Sequence, residues 1–154
     1  MGEFEVVRHT VISAQPEQVH ALIADLRRWR EWSPWEDLDP ALRREYSGPE
    51  SGPGARYSWQ GNRKAGAGTM EIVTDTGREV GVRLEFRKPM RATNDVTFTL
   101  APVGTTSTEV AWRMRGERSG LGAVFAAVIP MDRLIGKDFE KGLARLRVAA
   151  ESGA

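Results

Sequence analysis

The sequence predicts an α+β fold, a curved antiparallel sheet of about seven strands closed by one long C-terminal helix in the order β-α-α-β6-α. Three observations predict it. Runs such as Val82-Arg83-Leu84-Glu85-Phe86, Val96-Thr97-Phe98-Thr99-Leu100 and Val110-Ala111-Trp112-Arg113-Met114 are apolar at every second residue, the period of a strand with one buried face. From about Asp132 to Glu151 the period changes, and Ile135, Phe139, Leu143, Leu146 and Ala150 share one helical stripe. The links Thr76-Gly77-Arg78, Lys88-Pro89-Met90 and Val103-Gly104-Thr105 are too short for crossover helices, so the strands run antiparallel.

Each element has its own signal. About Glu3 to Ser13 mixes Val, Ile and Thr with polar residues and reads as the first strand. Pro16 suits the first turn of a helix, and Val19, Leu22, Ile23 and Leu26 follow at helical spacing. Asp25 is placed to cap a second short helix carrying Trp29 and Trp32, which Ser33-Pro34 ends. Strands are then expected at about 42–47, 55–62, 67–76, 79–88, 92–102 and 106–118. Residues 119–130 form a Gly- and Ala-rich apolar connector before the last helix.

Size and charge bound the function. At 154 residues the chain suits a single domain, 1–154, that buries roughly 68–70% of its unfolded surface. Lys plus Arg total 22 and Asp plus Glu 21, a net charge of +1, so no whole-protein field draws nucleic acid or an anionic membrane. Arg83, Arg87, Arg113 and Arg115 share the outer sheet face with Glu85 and Glu109, the pattern of cross-strand charge pairs. There is no cysteine, hence no disulfide, thiolate metal site or cysteine nucleophile. The N-terminus is acidic and does not read as a signal peptide, and the longest apolar stretch, Leu121 to Met131, falls short of the ~20 residues of a membrane span. A cytoplasmic protein is expected.

Alternation gives the inward face: Tyr57, Trp59, Met70, Ile72, Val82, Leu84, Phe86, Val96, Phe98, Leu100, Val110, Trp112 and Met114, with Ile135, Phe139 and Leu143 from the helix. A strongly bent sheet cannot touch a straight helix ~30 Å long over its whole length. The expectation is a cavity for an apolar small molecule. Its binding set is Trp35, Tyr57, Trp59, Met70, Ile72, Leu84, Phe86, Phe98, Trp112, Met114, Phe125, Phe139 and Leu143. Trp29, Trp32 and Trp35 either line the entrance or anchor the short helices. The segment Gly120 to Phe125 is either a glycine-hinged gate or a packed loop.

Catalytic groups are sparse. His9 and His20 are the only histidines, stand in no motif, and read as structural. No metal site and no cofactor is expected. Glu36 and Tyr57 are the acid–base candidates, because a carboxylate at a dry cavity mouth can serve as a general base; the alternative for Glu36, Asp37 and Asp39 is loop capping. Glu71 alternates to the outer face. Gln60 and Asn62 either orient a ligand carbonyl or belong to a turn.

The element order resembles that of the SRPBCC superfamily, in which START domains, birch-pollen-type allergens and polyketide cyclases share the helix-grip fold. The local likeness is to bacterial polyketide-cyclase/dehydrase-like members. It is carried by Ile12-Ser13-Ala14, Trp32-Ser33-Pro34-Trp35-Glu36, Tyr57-Ser58-Trp59-Gln60-Gly61-Asn62, Gly66-Ala67-Gly68-Thr69-Met70-Glu71 and Ile135-Gly136-Lys137-Asp138-Phe139-Glu140. The resemblance implies a hydrophobic ligand of lipid, polyketide, aromatic or terpenoid type in the pocket. A cyclase or dehydratase using the same pocket, and a protein-interaction module, are the alternatives it leaves. A monomer or homodimer is expected.

Overall fold

The computed structural model describes residues 2–36, 38–88, 91–118 and 131–152. Its elements are β1 (Gly2–Ile12), α1 (Pro16–Ala24), a 3-10 helix (Leu26–Glu31), β2 (Arg43–Ser47), β3 (Arg56–Gln60), β4 (Ala67–Asp75), β5 (Glu79–Lys88), β6 (Ala92–Val103), β7 (Ser107–Arg118) and α2 (Met131–Ser152). The order and the antiparallel pairing are those the sequence predicts. Asp37, the Pro89-Met90 part of one turn, and the connector 119–130 with Phe125 lie outside the described residues.

Local chemistry sets the boundaries. Pro16 opens α1, and the Gln18 side chain accepts the Gln15 N–H at 3.0 Å. Asp25 caps the second helix by accepting the Arg27 N–H at 3.0 Å. That helix is 3-10 rather than α: Trp32 N–H bonds the Trp29 carbonyl at 3.1 Å, three residues back. The tighter pitch turns Trp29 and Trp32 onto one buried side.

The strands form a seven-stranded sheet in the order β1-β7-β6-β5-β4-β3-β2. Register shifts at Ala67/Gly68 and Ile72/Thr74 bend β4. At Gly68 an added Cβ would meet the Glu85 carbonyl and the Trp59 ring, so glycine lets neighbouring strand and indole close over the bulge.

Helix α2 closes one part of the concave face. The Arg8 guanidinium of β1 lies against Gly136 and donates to Glu140 at 2.9 Å. Six residues on, Gly142 leaves room for Trp112 and Pro34. The Ser13 N–H ends the contact by donating to Glu151 at 2.9 Å. The stripe Phe139, Leu143, Leu146 and Ala150 is buried, as its spacing predicts.

Candidate ligand-binding face

Pairing aligns the inward side chains into cross-strand rows. One row runs through all seven strands: Tyr46, Tyr57, Met70, Leu84, Asn94, Gly116 and Phe4, from β2 to β1. Beside it lies a shorter row, Ile72, Val82, Val96, Met114 and Val6, all buried. Next comes Val80, Phe98, Trp112 and Arg8. On the other side of the long row, Arg44, Trp59, Gly68 and Phe86 align.

The rows differ in how they are filled. At Phe98 and Trp112 the face is solid. Trp112 stacks on Phe139 of α2, with centroids 4.1 Å apart and planes 6° apart. Trp29 and Trp32 meet Phe98 and Trp112 edge-on at 5.4–6.4 Å, a favourable aromatic arrangement. Trp29 and Trp32 donate their indole N–H groups to the Ile23 and Leu22 carbonyls, each at 2.9 Å. These two tryptophans therefore anchor the helical segment. Trp35 is half-buried, packs on Trp112 and Phe139, and donates to Asp138 at 3.2 Å.

Toward β2 and β3 the aromatic residues are only partly covered. Tyr46, Trp59, Phe86 and Phe4 are half-buried. Tyr46 stacks on Tyr57 at 5.0 Å, Tyr57 on Trp59 at 6.0 Å, and Trp59 meets Phe86 edge-on at 5.7 Å. The Trp59 N–H is fixed by the Ala65 carbonyl at 2.9 Å.

A polar group closes this end. The Glu36 carboxylate is 8% exposed. It accepts the Tyr57 hydroxyl at 2.9 Å on one oxygen and Arg44 Nε at 2.8 Å on the other. Arg44 also donates to the Glu36 carbonyl at 3.1 Å. Burial first, then the Glu36 charge and hydrogen bond, push the Tyr57 phenol far above its ordinary range, so it stays protonated. Burial and the same charge raise the Tyr46 phenol against three nearby arginines. Burial draws Arg44 down, but the bond to Glu36 and its charge outweigh this. Arg27 lies over the Tyr46 ring at 4.8 Å.

The predicted binding residues thus fall into two groups. Trp35, Phe98, Trp112 and Phe139 make the solid cluster, and Leu143 is buried on the α2 stripe. Tyr57, Trp59, Met70, Leu84 and Phe86 lie together on the partly covered side, with Ile72 and Met114 in the buried row between. Alternation also implies Arg44, Tyr46, Phe4 and Asn94, which the sequence reading passed over. Asn62 is a turn residue whose carboxamide oxygen accepts the Lys64 and Ala65 N–H groups. Asp39 caps the adjoining loop through the Ala41 and Asn62 N–H groups, and Glu71 meets Arg56 across the strands at 3.6 Å. His20 pairs with Asp75 at 2.8 Å, an α1-to-sheet tie without a sequence motif.

Among the described residues two buried side-chain polar atoms have no hydrogen-bond partner, the Tyr46 hydroxyl and the Trp112 indole nitrogen. Among the described residues no group of three or more His, Cys, Asp or Glu could hold a metal ion, and no helix is long and apolar enough to cross a membrane. A separate open groove of about 470 Å³ between the 3-10 helix and α2 is lined by Arg30, Glu31, Ala144, Arg145, Val148 and Ala149, none of them in the predicted set.

A curved antiparallel sheet gripping a C-terminal helix, with an apolar concave face, defines a START-like helix-grip protein. Residues 3–151 match the model of the family described as polyketide cyclase / dehydrase and lipid transport. The chain belongs to that family, within the SRPBCC superfamily. No curated protein is similar enough in sequence to match it. Among solved structures, a Thermus thermophilus protein is similar at 20% identity and TM-score 0.70, with 98% of this chain and 99% of that one covered. A START superfamily protein from Mycobacterium smegmatis is similar at 12% identity and TM-score 0.62, covering 99% and 100%. Norcoclaurine synthase from Thalictrum flavum, in complex with dopamine and hydroxybenzaldehyde, is similar at 9% identity and TM-score 0.68, covering 98% and 86%. These likenesses establish the fold.

Proposed function

We propose that this protein binds a hydrophobic small molecule carrying aromatic or polyketide-like rings against the β2–β5 side of its concave face. One observation carries the reading. Aromatic side chains are half-buried there and flank a fixed polar group, whereas the same face is packed solid at Trp112. Half-exposed rings held in place by hydrogen bonds and glycine contacts offer rigid apolar walls. Met70 and Leu84 form the floor between them, and methionine adapts to varied shapes. Lipid and terpenoid ligands are compatible with the same wall.

Native mass spectrometry of the protein from its own host, beside a Leu84→Trp variant, tests the reading. The expected result is an extra mass that denaturation releases and that the variant lacks. An adduct of equal occupancy on both proteins would place the ligand elsewhere, and no adduct on either would count against a resident ligand.

A cyclase or dehydratase role at the same face is the second reading, and the Glu36–Tyr57 contact favours it. The hydroxyl proton already points at a carboxylate, so this pair can pass a proton to or from a bound ring. Both Glu36 oxygens are engaged, which equally suits a purely structural brace. Turnover lost in Glu36→Gln and Tyr57→Phe while ligand affinity persists supports catalysis; unchanged turnover removes the pair from the mechanism.

A further inference from the structure

We infer that Asn94 reads a hydrogen-bonding oxygen on the ligand and so sets which hydrophobic molecules are accepted, an inference that rests on the binding role proposed above. Asn94 lies next to the middle of the seven-strand row, between Leu84 of β5 and Gly116 of β7. The buried pattern of β6 points it inward with Val96, Phe98 and Leu100. As a residue it is only 5% exposed and no hydrogen bond among the described residues reaches its carboxamide, yet the amide is not among the fully enclosed polar atoms, so it keeps an edge open on the concave face. An amide set in an apolar face with no protein partner leaves its donor and acceptor to water or to a ligand. Leucine would fill the position with no polar group to satisfy.

The surroundings fit recognition rather than packing. Gly116 contributes no side chain, and a Cβ there would run into the Asn94 amide oxygen and the Phe4 ring. The glycine therefore keeps the amide seated on the sheet, beside the apolar floor. Tyr57 lies three strands away in the same row, roughly 14 Å measured along the sheet. A ligand with an apolar ring body over Met70 and Leu84 would bring one end to Asn94 and the other to the Tyr46–Tyr57 side. A carboxamide both donates and accepts, so it suits a keto, phenol or enol oxygen at that end.

The test uses two probes with one body, 2-acetylnaphthalene and 2-ethylnaphthalene, competed against anilinonaphthalene sulfonate bound to the full chain. The wild type is expected to favour the ketone. Asn94→Leu should cut that preference about tenfold, the worth of one hydrogen bond, while holding the hydrocarbon at least as well. Its melting temperature should stay within a few degrees of the parent's, because the amide makes no hydrogen bond within the described fold. Asn94→Ala serves as a second variant if leucine perturbs folding, with the same loss of preference expected. An unchanged ratio with intact binding of both probes overturns the role of Asn94 alone. Failure of wild type to bind either probe, or the fluorophore, overturns the binding role along with it.

Discussion

The two ends of the concave face are both aromatic, but they answer to different physics. At the β6–β7 end Trp29, Trp32, Phe98, Trp112 and Phe139 interlock edge to face and ring to ring, and none is more than 2% exposed. Each such ring hides well over ~150 Å² and locks its neighbours. At the β2–β5 end Tyr46, Trp59 and Phe86 form a row of rings through Tyr57 yet remain half-covered, and beside them Tyr57 and Arg44 hold a buried carboxylate. The first end holds the helices on the sheet. The second has rings to spare, the surplus that the proposed ligand would use. Residue type alone therefore does not separate stabilising rings from binding rings; the distinction lies in what covers them.

The sharpest way to break the comparison is to truncate one tryptophan at each end. Trp112→Ala should cost about 3–5 kcal/mol of stability in urea unfolding, the range for large-to-small changes in a packed core. Trp59→Ala should cost only about 1–2 kcal/mol, since less area is hidden, but should weaken fluorophore binding severalfold. Equal stability losses at the two positions would erase the distinction.

The phenols give a second, pH-dependent probe of the half-covered end. Tyr46 and Tyr57 are the chain's two tyrosines, and both phenols are raised in the folded state. The unfolded chain releases these protons first, near pH ~10. Stability is therefore full below that pH and declines above it, by at most about 1.4 kcal/mol per pH unit for each phenol. Tyr57→Phe should flatten the alkaline decline, read as melting temperature against pH. A decline of unchanged steepness would mean that other groups drive it.

The two glycines of α2 provide the finest comparison. At Gly142 a Cβ would stand 2.7 Å from the Trp112 ring and 3.0 Å from Pro34. Neither neighbour yields easily, so Gly142→Ala should lose about 1–2 kcal/mol despite the helix gain of alanine. At Gly136 the obstacle is the flexible end of Arg8. Gly136→Ala should change stability by no more than about 1 kcal/mol in either direction. Thermal melts of the two variants, side by side, check the contrast.

Much of this was legible in the chain. Period-two runs located each strand to within about two residues, and the stripe from Ile135 to Ala150 located the last helix, because a half-buried element must repeat its apolar residues at its own period. The inward set followed from the same rule. Asn94 and Tyr46 obey it too, but as polar or isolated residues at the ends of runs they carry little hydrophobic signal. The Glu36–Arg44–Tyr57 contact brings a loop onto two strands, and no local pattern encodes it. The readings held open for Trp29 and Trp32 differed only in what lies across from them, and sequence spacing is silent on that.

What the sequence by itself determined is the fold class, the order of its elements and the face each strand residue takes, which follow from local periodicity, short turns and caps that act within a few residues; the family came from the likeness of its element order and short segments to known members. Only the tertiary structure decided that the concave face is filled at Trp112 and half-covered at Trp59, that Glu36 is committed to Arg44 and Tyr57, and that the Asn94 carboxamide sits in an apolar row with no hydrogen bond from the described residues. Each depends on which groups the bent sheet and the helix bring together across long stretches of chain. Burial and pairing are properties of that neighbourhood rather than of the residue.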